Sequence, residues 1–462
     1  MDESAASAPN PKLAEALAFL QAAEQSAAAG DPSRIAWTLQ QFDEGLSRLR
    51  PFAEQGGEPL RWFSLALLGR ANVHRSRGPE GLTDALAGYD EAIRVIEATS
   101  ATGPSEEVRR DDLANVWLNR GLALLAAAAP EKLTEAVKAF DTCIALRRDL
   151  PAGPNHQFHF GLVAGWMNRA DALTRIGTPE ALADALKSYD EALAVLKTLP
   201  VDENDWFRHR LAVAWMNRAI TRQAIGGEGT VAETLAGFDE AVALLKDHRL
   251  LERPEGRHLY ACVWLNRAGL LLAQAPERVA EAREAAVAAR EILRPMEREQ
   301  PGLTDVALKA RHALCRALAT ELAAMPAGAD VREKVGEATD AVDEGLALAR
   351  IWEDRGLTIF KPIEAELFRF GAQIFQKHQP HFLAEFVLEN LDPERSPAAA
   401  RASAPMLQAG FESIARSLQE LQARGFAEIG NPGMERTLET LKELRAAEER
   451  LRQIRARARP RA

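Results

Sequence analysis

Trp117-Leu118-Asn119-Arg120, Trp166-Met167-Asn168-Arg169, Trp215-Met216-Asn217-Arg218 and Trp264-Leu265-Asn266-Arg267 follow one another at intervals of 49 residues. A four-residue match at constant period is an internal repeat, and a period of this length points to a stacked array of small units. A second motif follows the Trp by 23 residues, as Phe140-Asp141, Tyr189-Asp190-Glu191-Ala192 and Phe238-Asp239-Glu240-Ala241. Worn copies lie upstream: Phe19-Leu20-Gln21-Ala22 with Phe42-Asp43-Glu44-Gly45, and Leu67-Leu68-Gly69-Arg70 with Tyr89-Asp90-Glu91-Ala92. Downstream, Ala313-Leu314-Cys315-Arg316 and Val342-Asp343-Glu344-Gly345 complete a seventh unit. The second half of the sixth, near Arg283 to Leu293, keeps only helical composition.

Each unit reads as two helices with a breaker between them. The breakers are Gly78-Pro79-Glu80, Pro130-Glu131, Thr178-Pro179-Glu180 and Pro276-Glu277. Pro at the first helical position loses no useful N–H, and Glu in the first turn complements the helix dipole. Thr178 is the expected N-cap of its helix. Between units the chain is expected to break again at Pro51, Pro104, Pro151, Pro200 and Pro254. Such a hairpin cannot bury its apolar face alone, so neighbours must stack to complete a core.

The order within a unit resembles the tetratricopeptide repeat. The Trp is followed four residues on by small Gly121 or Ala170, then by Ala136 or Ala185, Phe140 or Tyr189, and Cys143 or Ala192. The resemblance covers roughly residues 11 to 350 and is specific to fold. The family repeats at about 34 residues, whereas this chain adds length mainly before the Trp and in the hairpin turn. Basic Arg110, His159, Arg208 and Arg257 stand seven residues before their Trp, so the first helix is expected to start about two turns early. The resemblance implies an all-α fold, a right-handed superhelical solenoid of about seven to eight tandem helical hairpins with C-terminal capping helices. The domain plan is a disordered N-terminus (1–10), a solenoid (11–391) whose segment 356–391 is an aberrant eighth hairpin, a linker (392–405), and C-terminal helices with an Arg-rich tail (406–462).

Composition agrees. Of 462 residues, 47% are apolar, 27% charged and only 6% aromatic, which favours a globular helical chain over disorder or an all-β fold. The net charge of −10 argues against a general nucleic-acid binder. From Arg445 to Ala462, however, seven Arg face two Glu, and this tail is the one place where nucleic acid, an acidic partner or an anionic surface is expected to make contact. Its plainer reading is a solvated helix end with favourable C-terminal cations. Cys143, Cys262 and Cys315 show no metal spacing and fit a reducing compartment. The start, Met1-Asp2-Glu3-Ser4, has no basic or apolar leader, and no run approaches the roughly 18 apolar residues of a membrane span, so a cytoplasmic location is expected.

Two sets of repeated polar residues are candidates for function. Asn119, Asn168, Asn217 and Asn266 lie about 200° around the helix from their Trp. They resemble the asparagine ladder of superhelical tetratricopeptide proteins, which implies a groove holding an extended peptide, with Leu118, Met167, Met216 and Leu265 as an apolar floor. The alternative is that each Asn bonds a neighbouring helix or loop and locks unit to unit. The Arg leans toward the second helix instead. Bridges are expected within each unit, as Arg70/Asp90, Arg120/Asp141, Arg169/Asp190, Arg218/Asp239 and Arg316/Asp343, the functional alternative being an Arg row for acidic peptides or phosphate. The family's carboxylate clamp needs a Lys where this chain has Leu118, Met167, Met216 and Leu265.

Catalytic signals are weak. His156-x-x-His159 lies in a Pro/Gly/Asn-rich connector, and His378-x-x-His381 contains Pro380. Gly226-Gly227-Glu228-Gly229-Thr230 follows a helix, lacks a P-loop Lys and reads as a turn. No catalytic, metal or cofactor site is expected. The reading is a non-enzymatic adaptor that binds another protein or an extended peptide. The alternatives are a peptide-responsive bacterial regulator controlling an effector and an enzyme with its site in residues 356–391.

Overall fold

A computed structural model describes residues 10–98, 105–127, 129–153, 156–227, 229–246, 248–326 and 329–378. Every regular element among them is helical. The expectations for residues 1–9 and 379–462, including the linker, the C-terminal helices and the Arg-rich tail, lie outside the described residues.

The helices pair as the period demands: α1 (Pro11–Ala29) with α2 (Ile35–Ala53), α3 (Gly57–Ser76) with α4 (Leu82–Glu97), α5 (Glu106–Ala127) with α6 (Pro130–Arg147), and α7 (Gln157–Ile176) with α8 (Pro179–Leu196). Then come α9 (Asp205–Ile225) and α10 (Thr230–Leu245), α11 (Pro254–Gln274) and α12 (Val279–Leu293), α13 (Pro301–Ala324) and α14 (Arg332–Glu353), and finally α15 (Lys361–His378). The chain divides into two compact units, Met1–Glu240 and Ala241–Ala462. Within each, a second helix packs on the next first helix, as α6 does on α7 and α12 on α13. First helices also touch the next first helix, as α5 does α7 and α11 does α13. This is the sequential hairpin packing of a tetratricopeptide-like solenoid.

The helix ends follow from local chemistry. Thr178 caps α8, its hydroxyl accepting from the Ala181 N–H at 3.2 Å, with Pro179 at the first position. Gly177 ends α7 at φ 73°, a left-handed conformation that an L side chain resists. Pro79 and Pro276 open short 3-10 turns, and the following helices start at Leu82 and Val279. Pro51 departs from expectation: it lies inside α2, in the last turn. There the missing N–H removes a single bond of a helix about to end. The long first helices start 9 to 11 residues before their Trp, at Glu106, Gln157, Asp205 and Pro254.

The core is built where small residues let helices approach. A Cβ added to Gly121 would stand 2.5 Å from the Phe140 ring, so α5 and α6 close only because that position carries hydrogen. Phe42, Tyr89, Phe140, Tyr189 and Phe238, the aromatics of the second motif, are all buried. In α12 that aromatic is gone, and fully buried Ala282, Ala285, Ala286 and Ala289 fill the contact instead.

Candidate functional site

The repeated Arg does bridge helices, but not those expected. Arg70 reaches Asp43 (2.7 Å), Arg120 reaches Asp90 (2.9 Å), Arg169 reaches Asp141 (2.6 Å) and Arg218 reaches Asp190 (2.6 Å). The expected bridges Arg70/Asp90, Arg120/Asp141 and Arg169/Asp190 are therefore displaced by one unit, and Arg218 joins Asp190 in place of Asp239. Every pair ties a first helix to the second helix of the preceding hairpin. In unit 2, Arg267 pairs with Glu281 of α12 at 3.2 Å.

The pair of Arg169 and Asp141 lies in a groove between α6 and α8, a cavity of about 390 Å³ lined also by Arg148, Trp166, Lys187 and Glu191, among others. Arg148 stacks over Trp166 at 5.7 Å, and Lys197, 49 residues on, stacks over Trp215 at 4.9 Å. The Trp of the motif thus faces this side, where Arg169 meets Asp141 and Ser188 Oγ (2.7 Å) and Lys187 meets Asp184 (3.0 Å).

The Asn residues stand about 200° around the first helices from their Trp. Asn119 donates through Nδ2 to the Asn115 carbonyl (2.9 Å), Asn168 to Ala164 (2.8 Å), and, in unit 2, Asn266 to Cys262 (2.9 Å). Each amide is thereby pinned to its own helix, with its Oδ1 turned away from that bond. Those three oxygens have no partner among the described residues, and the three side chains are half-buried. Asn217 differs, because it faces the hydroxyl of Tyr189 on α8, which burial pushes above its ordinary range. The expected apolar floor is largely consumed by packing. Met167 is only 7% exposed, Leu118 packs against the cluster that holds Leu124, Phe140 and Ala172, and Leu265 packs into the unit 2 core. Met216 is half-buried. At about 100° from the Trp, these side chains aim at the next first helix.

Two features escaped the sequence reading. Arg147 is 1% exposed, where Leu49, Ile96, Leu196 and Leu245 hold the same place six residues after their Asp. It donates to Asp111 Oδ1 (2.7 Å) and Asn115 Oδ1 (2.6 Å), and a Cβ on Gly161 would strike it. Its one-off break of a Leu pattern was the available signal. The second is an aromatic cluster on the first helices: Phe160 and Trp206 rings meet at 61°, and Arg210 lies over both.

His156 heads α7 in a left-handed conformation and packs on Phe207, with no group of three metal-binding side chains assembled among the described residues. Burial pushes the Cys315 thiol up to about 12 and Cys262 up to about 11, so neither is a thiolate at neutral pH. Among the described residues, no helix is long and apolar enough to cross a membrane. The His378 and His381 pair lies beyond the described side chains.

No family model matches the chain, and no curated protein matches it. Among solved structures, BtubC (BKLC) from P. vanneervenii shares 14% identity over 59% of this chain and 92% of its own, with a TM-score of 0.40. The apo form of RapI shares 10% over 97% of this chain and 98% of its own, with a TM-score of 0.46. A circular tandem repeat protein shares 14% over 96% of this chain and 98% of its own, with a TM-score of 0.28. With likenesses this distant, the assignment of fold rests on the helices themselves.

Proposed function

We propose that this chain is a non-enzymatic binding scaffold that holds an extended segment of another protein against its first helices. One observation carries the reading. The amides of Asn119 and Asn168, on successive first helices of unit 1, are fixed by their own backbones and present Oδ1 with no partner among the described residues. A fixed acceptor repeated from helix to helix suits the N–H groups of an extended main chain, which every sequence carries. The adaptor reading needs no chemistry beyond this.

The test is a pull-down from the source lysate with wild type and the Asn119→Ala/Asn168→Ala variant, checked for equal Tm. Both removed bonds are local, so the variant is expected to melt with the wild type. A partner retained by wild type and lost by the variant supports the scaffold. Equal capture by both refutes the Asn face as the binding surface. An activity that copurifies with the chain and survives to homogeneity would refute the non-enzymatic reading.

A further inference from the structure

Arg210 is a half-buried arginine with no acidic partner among the described residues. Arg61, Arg120, Arg169 and Arg218, on the same class of helix, each meet an Asp. Arg210 meets none among the described residues, and the neighbouring Arg208 is already matched by Asp202. Burial alone acts on the Arg210 guanidinium, pushing its pKa below the ordinary value. What it does touch is aromatic: its carbon centre lies 5.1 Å from the Trp206 ring and 5.9 Å from Phe160. Trp206 is itself 40% exposed, in a chain whose other large apolar side chains are mostly covered. A desolvated cation flanked by rings has few waters to give up and is held in one orientation.

Position gives the cluster meaning. Trp206, Arg210 and Asn217 stand at steps of four and seven along α9, so they share one face. Phe160, Ala164 and Asn168 stand at steps of four along α7. The cluster therefore continues the Asn-bearing stripes toward the N-terminal ends of both helices.

We infer that Arg210, on the shelf formed by Phe160 and Trp206, is the anchor for a single carboxylate of the bound segment, an Asp or Glu adjoining an apolar side chain. This inference rests on the scaffold reading and gives that ligand its chemistry. The guanidinium offers a planar two-donor edge that matches a carboxylate, and the exposed indole covers the apolar neighbour. One uncompensated positive charge suits a carboxylate of charge −1. A phosphoryl group or a nucleic acid brings more negative charge than this site matches.

The experiment sorts a bead-displayed library of randomised decapeptides against the full-length protein. Wild type is expected to enrich sequences with Asp or Glu next to an apolar residue. Arg210→Glu is expected to lose that enrichment and favour Lys or Arg, and Arg210→Gln, of similar length, simply to lose it. Should the charge reversal fail to fold, the Gln variant carries the comparison. The Asn119→Ala/Asn168→Ala variant is expected to recover fewer beads with the acidic preference unchanged. The best decapeptide, resynthesised with Gln for its acidic residue, is expected to bind about tenfold more weakly, and with phosphoserine no more tightly. Unchanged acidic enrichment in both Arg210 variants overturns the anchor and leaves the scaffold standing. Tighter binding of phosphoserine overturns the carboxylate assignment. No recovery by wild type overturns both readings.

Discussion

The displacement of the ion pairs by one hairpin is open to direct measurement. Arg169 is expected to couple to Asp141 of the preceding hairpin and not to Asp190 of its own. The Arg169 side chain is 19% exposed and Asp141 50%, at 2.6 Å between nearest atoms. Two unit charges about 4 Å apart attract by about 1 kcal/mol in a water-like medium, and exposed pairs measure about 0.2–1 kcal/mol. Arg169 also donates to Ser188 Oγ at 2.7 Å, so its side chain is held in place before Asp141 is met. That removes part of the ordering entropy and puts the pair near the top of the range, about 1 kcal/mol. The assay is a double-mutant cycle in urea with Arg169→Ala, Asp141→Asn and both, which cancels the packing lost with the Arg stem. A parallel cycle uses Asp190→Asn and is expected to give coupling within error of zero. In thermal melts 1 kcal/mol corresponds to about 2–4 °C for a unit of this size. The Asp141 coupling is expected to shrink in 1 M salt. A larger coupling to Asp190 than to Asp141 would refute the register.

Further outcomes follow from other positions. Glu297 holds fully buried Arg311 with two bonds of 2.9 and 3.0 Å beside Glu344 at 3.1 Å, so Glu297→Ala, which leaves Arg311 one carboxylate, is expected to cost about 1–3 kcal/mol. Replacing the pair together, Arg311→Met with Glu297→Leu, is expected to cost clearly less by denaturant titration. Gly121→Ala pushes a methyl into Phe140 and is expected to cost about 1–3 kcal/mol, with partial rescue by Phe140→Leu, read as Tm. Asn217→Ala strips the buried Tyr189 hydroxyl of its facing amide and is expected to cost about 1–3 kcal/mol, whereas Asn168→Ala is expected to change Tm little. Burial holds His74 and His312 below their ordinary value of 6.5. The unfolded chain therefore takes up these protons first, so stability is full above pH about 6.5 and falls as pH drops below it. His74→Gln/His312→Gln is expected to flatten Tm between pH 7 and 5.5, and an unchanged slope would count against this origin.

How far the sequence reaches is clearest at particular residues. The seven hairpins were legible because a 49-residue period and Pro179- or Pro130-type starts agree on where helices begin. The bridging Arg and Asp were legible as residues but not as pairs. A helical wheel gives the direction in which Arg169 leaves its axis, and two second helices flank that direction. The repeated Asn were likewise legible as residues, and their surroundings were not. That Met167 would be covered and Asn217 set against Tyr189 depends on how closely first helices approach, which angle alone does not fix. Arg210 and Arg147 were missed because a search for repetition passes over residues that occur once. Arg210 stands where neighbouring repeats carry Gly161 and Leu259.

The bridges from α3, α5, α7 and α9 to the hairpin before each also bear on how such an array grows. The 49-residue segment copied in the sequence carries an Arg at its front and an Asp near its back, and neither closes on the other. A duplicated segment therefore arrives with one half of two junctions. Inserted anywhere in the row, it satisfies the open Asp behind it and offers a fresh one ahead. Lengthening by duplication needs no compensating change at the seam, and four nearly identical motifs in succession are what such a history would leave.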